Sequence, residues 1–390
     1  MLFRLRNRWK VLGFLLLAFG SSQTVQVSEL DSKAVITKGE EYKKRDDLTS
    51  RADLLAAYGW KTPEQQEALC QLLKYAGVEL DLENLQDQQP TEELLIWLLS
   101  LINETQAKFW NRQGGKERWE ISPLRWMKDH CAQVWPSLGK LGCLHAVEPE
   151  IGSCGTVCVL GASKYRMESR LRFLVNLMRQ QKLCPTQLIL LSGERLATRD
   201  SESKKVDGTE EELELIAKRY GRASWEKVTE MDILRFLVEK EPNFANLEIV
   251  VVDTPAHQRP DGTVQRPTTQ STIERWLDQH PLPEKVFFIS NQPYVQYQSS
   301  VIGVALRGHP NGEKCEMNVI GEAFIPNATP SEENVKQGVE ALGSLIRAKA
   351  LLILLDKRVE LTQSMVDEFR KIYNDPASLA AVESLKAKDY

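Results

Sequence analysis

Two carboxylates and a set of arginines are the residues best placed to do chemistry in this chain. Glu194 comes directly after Gly193 at the end of one apolar run, and Asp253 closes another. A carboxylate so placed can accept a proton or a ligand hydroxyl, or lean towards a divalent ion. Glu194 and Asp253 are therefore the candidate catalytic pair; no metal ligands are assigned. Arg166 and Arg266 bring positive charge that would hold an anionic group. Small and polar residues of the kind that line a ligand crevice accompany them: Gly161, Ser163, Ser192, Gly193, Thr268, Thr269, Asn291, Gln292 and Tyr294. Gly161 would let backbone approach a ligand closely. Ser163 would cap a helix whose free N–H groups favour an anion. The stretch from Arg266 to Thr272 crowds hydroxyls and an amide at one helix start. One of them suffices as a cap, so the excess points to ligand contacts. Pro293 would stand at another helix start. Each feature also has a plainer explanation. A tight strand-to-helix turn accounts for Gly161 to Ser163, and solvent pairing with Arg195 or Arg199 accounts for Glu194.

These residues fall at the ends of a particular set of elements. Short β-branched runs at Gly155–Gly161, Thr186–Ser192, Leu247–Asp253, Lys285–Ser290 and Glu316–Ile320 alternate with helical patterns. Most are near-continuous apolar runs, which is how strands buried on both faces read. The economical fold class is α/β: a Rossmann-like parallel sheet of about five strands with helices on both faces. In such sheets ligands bind at the carboxyl ends of the strands, where the candidate residues lie. Before the sheet, Thr62-Pro63-Glu64 and Pro90-Thr91-Glu92 read as helix starts, whereas 111–150 reads as irregular. After it, Ser331–Leu352 and Leu361–Tyr373 read as helices, and Asp375-Pro376 breaks the pattern before a last short one. The organisation expected is a signal peptide at 1–20, a linker at 21–49, a helical region at 50–150, the α/β domain at 151–325 and C-terminal helices at 326–390.

Other chemistries fit less well. Ser192 is not in a G-x-S-x-G elbow, which weakens an esterase triad with Asp253 and His257. Cys131, Cys143, His145, Cys154 and Cys158 do not have the paired C-x-x-C spacing of a zinc site. The seven cysteines include at least one free thiol, since their number is odd. The composition, 42% hydrophobic and 27% charged with a net charge of -4, is that of a globular protein. No basic stripe lies beyond the first ten residues, so nucleic acid is not an expected partner. That first stretch has its own logic. Arg4, Arg6, Arg8 and Lys10 precede the apolar run Val11–Phe19, and Ala18-Phe19-Gly20 offers a cleavage site. This is the form of a secretory signal, which would make the protein secreted or periplasmic; the alternative is an amphipathic or buried helix of a cytoplasmic protein. Uncleaved, the leader would be the only means of membrane association.

The order of the strand tips resembles a bacterial family of unknown function that includes the envelope proteins YdcF, SanA and ElyC. The resemblance covers about 155–321 and rests on Leu160-Gly161-Ala162, on Arg166 or Arg170, on Ser192-Gly193-Glu194, on Glu210 or Glu211, and on Thr268-Thr269. Glu194 stands where the family has glycine, and Asn291-Gln292-Pro293-Tyr294 has no histidine where the family has one. The resemblance implies a Rossmann-like fold, an envelope location and a phosphorylated or nucleotide-like ligand, without supplying a reaction. Two functional expectations follow. One is a small-molecule-binding protein of the bacterial envelope with transferase or hydrolase chemistry on an anionic ligand. The other is a non-catalytic envelope-associated binding protein whose terminal helices make the partner surface. No cofactor is named by the sequence.

Overall fold

A computed structural model describes residues 48–109, 122–201, 205–258, 264–265, 267–310, 312–324, 330–373 and 376–386. The expected leader and Arg266 lie outside the described residues. Helices α1 (Arg51–Ala57), α2 (Pro63–Tyr75), α3 (Thr91–Lys108), α4 (Arg125–Asp129) and α5 (Cys131–Lys140) come first. The α/β part follows as β1 (Ser153–Leu160), α6 (Lys164–Arg179), β2 (Leu183–Gly193), α7 (Glu210–Arg219), α8 (Glu230–Glu239) and β3 (Glu248–Thr254). It continues through β4 (His257–Gln258), β5 (Val264–Gln265), α9 (Thr269–Gln279), β6 (Lys285–Asn291), α10 (Val295–Arg307) and β7 (Glu316–Glu322). Helices α11 (Glu332–Asp356), α12 (Gln363–Ile372) and α13 (Pro376–Ser384) close the chain.

The main sheet has five strands in the order β3-β2-β1-β6-β7, every pair parallel. This is a Rossmann-like α/β fold. The chain builds outwards from β1 to β3, then returns to the other side of β1 for β6 and β7. With crossovers of one hand, that reversal puts the two sets of helices on opposite faces. The packing follows suit. Val157, Val159, Leu188, Leu190 and Phe287 face Leu171, Leu174, Leu213, Ile216 and Leu234 of α6, α7 and α8. The alternate residues Cys158, Leu160, Ile189, Leu191 and Phe288 face Ile273, Trp276, Ile302 and Leu306 of α9 and α10. Both faces of the central strands β1, β2 and β6 are buried, so these read as apolar runs, whereas Ile249 and Val251 of the edge strand β3 are exposed.

A third core joins the terminal helices. Leu54, Leu69, Leu72, Leu98 and Ile102 pack with Val335, Leu342, Ile346, Val366 and Phe369. The N-terminal and C-terminal helices therefore share one interior, tied further by the Tyr58 hydroxyl donating to the Ile346 carbonyl at 2.8 Å. Helix α11 also packs along α10, which links this layer to the sheet. Local signals start these helices as expected. Thr62 and Gln65 form a reciprocal capping box at α2, and Ser331 caps α11. The stretch expected to be irregular instead contains α4 and α5. Val134, Leu138 and Leu141 are buried at helical spacing there, and that packing overrides Pro136 within the helix.

Candidate functional site

The strand order reverses between β1 and β6, and their carboxyl ends are neighbours. Two arginines one turn apart on α6 meet there. Arg170 is only 2% exposed. Its guanidinium donates to the carbonyls of Leu160 and Gly161, the latter at 3.0 Å, and to Asn291 Oδ1 at 3.1 Å. Asn291 Nδ2 donates in turn to the Gln292 carbonyl at 3.1 Å. One side chain thus ties the tip of β1 to the tip of β6. Arg166 lies half-buried beside it, with its guanidinium 4.5 Å from the centre of the Tyr294 ring and 5.4 Å from that of Tyr165. It donates to Tyr165 Oη at 2.7 Å and to Gln337 Oε1 of α11 at 3.2 Å. Burial, and next the charge of Arg166, push the Arg170 guanidinium below its ordinary range. Among the described residues neither arginine forms an ion pair; the hydrogen-bond acceptors they meet are neutral.

The helix start beside them is already occupied. Ser163 makes no side-chain cap. The carboxylate of Asp207, fully buried, accepts the Lys164 backbone N–H at 3.0 Å and the Thr198 N–H at 2.8 Å. It also pairs with Arg195 at 3.2 Å, and Arg195 pairs with Glu230 at 2.6 Å. Ser192 Oγ donates to Glu230 Oε2 at 3.3 Å. The anion that suits the start of α6 is therefore one of the chain's own side chains. Lys164 is held by Glu212 at 2.9 Å.

The glycines serve packing here. A Cβ on Gly161 would come 2.8 Å from Ser192 Cβ, and one on Gly193 would come 2.8 Å from Pro267 Cβ. No real Cβ tolerates such contacts, so these glycines let the tips of β1 and β2 and the start of α9 close together. The hydroxyls at that start also have internal partners. Thr268 caps the helix through the Ser271 N–H at 3.2 Å, and Thr272 Oγ1 donates to the Thr268 carbonyl at 3.0 Å. Gln270 accepts from Ser378 of α13 at 3.3 Å. Thr269 is the first residue of α9. Gln292 turns from the crevice and donates to the carbonyls of Gly142 and His145 at 3.0 and 2.8 Å. Pro293 follows a cis peptide bond, and α10 begins only at Val295, so Pro293 precedes the helix rather than opening it.

Glu194 and Asp253 form a second group, at the tips of β2 and β3. Glu194 is exposed, and its Oε2 accepts the Ala256 N–H at 2.9 Å. Arg195 and Arg199 do not pair with it; they hold Glu230 and Glu210. Asp253 is half-buried, and its Oδ1 has no hydrogen-bond partner among the described residues. Burial first, then Asp232 and Glu194, push its carboxyl up, with Arg222 and Arg275 opposing. Asp232 itself is held by Arg222 through two bonds of 2.8 and 2.9 Å. A cavity of about 310 Å³ lies elsewhere, between α6 and the end of α8, lined by Leu171, Val175, Leu237 and Glu241 and by none of the strand-tip residues.

No family model, curated protein or solved structure matches the chain.

The arrangement can do one thing plainly. Two neighbouring guanidiniums with neutral hydrogen-bond partners place positive charge at the reversal of the sheet, beside two tyrosine rings. The sequence pointed to Arg166, Asn291 and Tyr294 for this place. It missed Tyr165, Gln337, Asp207 and Glu230. Arg170 carried a usable signal, because it falls on the same stripe of α6 as Met167, Leu171 and Leu174. Asp207 carried none, lying in a polar stretch without periodicity.

Proposed function

We propose that the protein binds a small anionic molecule, phosphorylated or nucleotide-like, in the crevice between the tips of β1 and β6. The observation that carries this reading is the pair Arg166 and Arg170, adjacent and met only by neutral acceptors among the described residues. Glu230 acts on Arg170 only from a distance, so an anion in direct contact would offset the cost of burying the pair. Arg166 is the half-exposed member and would make the direct contact, exchanging Gln337 for a ligand oxygen. Tyr165, which is exposed, would offer a flat face to a base or sugar, while buried Tyr294 backs Arg166. The start of α6 would contribute little, since Asp207 already satisfies it. Binding therefore comes before catalysis in this reading. Glu194 and Asp253 would reach only a ligand that extends towards the tips of β2 and β3, where hydrolase or transferase chemistry would act. The basic-then-apolar leader supports an envelope location, and the order of the strand tips, similar to the YdcF-like proteins, runs the same way.

A thermal-shift panel tests the reading. It would compare nucleoside diphosphates, sugar nucleotides and inorganic phosphate with unphosphorylated nucleosides. Phosphorylated members should raise the Tm, and Arg166→Gln should lose that shift while keeping its own Tm. Equal shifts from uncharged nucleosides, or no shift from any member, would contradict it.

A further inference from the structure

The opposite edge of the sheet carries a pair of thiols that the crevice does not use. Cys154 of β1 and Cys184 of β2 are direct register partners on adjacent parallel strands. We propose that Cys154 and Cys184 are a modification site, closing to a disulfide across the amino-terminal edge of the sheet. Neighbouring strands run about 4.8 Å apart, within the Cα separation of roughly 4.4–6.8 Å that a disulfide spans. Register partners on parallel strands point their side chains to the same face. The two thiols are close enough to influence each other's ionisation. Cys154 Sγ also points to the Gly152 carbonyl at 3.6 Å, at the start of the strand. Both cysteines are exposed, whereas Cys143 and Cys158 are buried. The ladder shifts register just after the pair, between Gly155 and Thr156, which gives the backbone local freedom to adjust.

The chemistry balances with a small-molecule disulfide as oxidant. The thiolate of one cysteine attacks that disulfide and releases one small thiol, leaving a mixed disulfide on the protein. The second cysteine gives up its proton and attacks the protein sulfur of that adduct, releasing the second small thiol. Two electrons pass from the protein pair to the oxidant, and one S–S bond is exchanged for another. Burial and the neighbouring Cys184 hold the Cys154 thiol above its ordinary range, so exchange should quicken in alkaline buffer. The closed loop would enclose the whole of α6, the helix that carries Arg166 and Arg170.

Full-length reduced protein would be treated with oxidised glutathione, denatured, alkylated and digested. The expected result is a cross-linked peptide pair joining Cys154 to Cys184, with two of the seven thiols lost and recovered on adding dithiothreitol. Cys184→Ser should instead leave glutathione on Cys154 as a stable adduct. Separate glutathione adducts on both cysteines of the wild-type protein, or two free thiols there after treatment, would overturn the proposal.

Discussion

Arg166 and Arg170 stand four residues apart on one helix, where like charges repel. Arg166→Gln removes that repulsion and leaves Arg170 to tie the strand tips. The apo protein should therefore melt at or slightly above the wild-type temperature. Its affinity for a phosphorylated ligand should fall by roughly 1.5–3 kcal/mol, the worth of one charge-assisted contact. Asp253 offers a different test. Its folded carboxyl keeps its proton to higher pH than the unfolded chain does, through burial first and then Asp232 and Glu194. The folded state thus binds more protons just above the ordinary value of 3.8, and stability falls as pH rises through that window. Asp253→Asn removes the loss. At neutral pH the variant should melt higher, by roughly 1–2 °C given the residue's half exposure, and the difference should vanish in acid below the ordinary carboxylate value. Thermal melts across the pH range check this. Both residues were legible in the sequence as charged groups at strand or helix ends. Their partners were not, because Gln337 and Asp232 come from elements whose sequences give no hint of what they face.

At the scale of elements, the start of α6 shows where sequence reasoning stops. Ser163 had the right type and position for a cap, yet Asp207, forty-three residues away from Lys164, takes the bond. Long-range carboxylates leave no local pattern. Asp207 joins the start of α6 to Arg195 beyond β2 and to the Thr198 N–H. Asp207→Ala would leave Arg195 with Glu230 alone and free two part-buried N–H groups. A loss of roughly 1–3 kcal/mol is expected, the cost of buried donors left unpaired, measurable by urea unfolding. Most of the five strands, by contrast, were readable because they are near-continuous apolar runs bounded by polar or small residues. The helix starts at Thr62 and Ser331 were readable because capping is local. Helices α4 and α5 were hidden by Pro136 and Gly139, though Val134, Leu138 and Leu141 kept the spacing.

For the whole molecule, the shared interior of the terminal helices matters most. Sequence could not say whether the C-terminal helices pack on the sheet or on the N-terminal helices; α11 packs on the N-terminal helices and on α10, which covers the sheet. The helical layer and the sheet should therefore unfold together. Near-ultraviolet circular dichroism, far-ultraviolet circular dichroism and tryptophan fluorescence should give coincident transitions, with Trp60 reporting the helices and Trp276 the sheet. Two separated transitions would show that α11 couples them weakly. Among the described residues no helix is long and apolar enough to cross a membrane. The expected leader can be tested directly, because export with cleavage near Gly20 predicts a mature N-terminus just beyond that residue on sequencing. An intact Met1 on protein from the soluble cytoplasm would contradict export. The central claim is that the arginine pair at the reversal of the sheet holds an anion. Calorimetric titration of the phosphorylated compound giving the largest thermal shift, into wild type and Arg166→Gln side by side, tests it most directly. The account predicts an affinity at least tenfold weaker in a variant that melts like the wild type; unchanged affinity in that folded variant would contradict it.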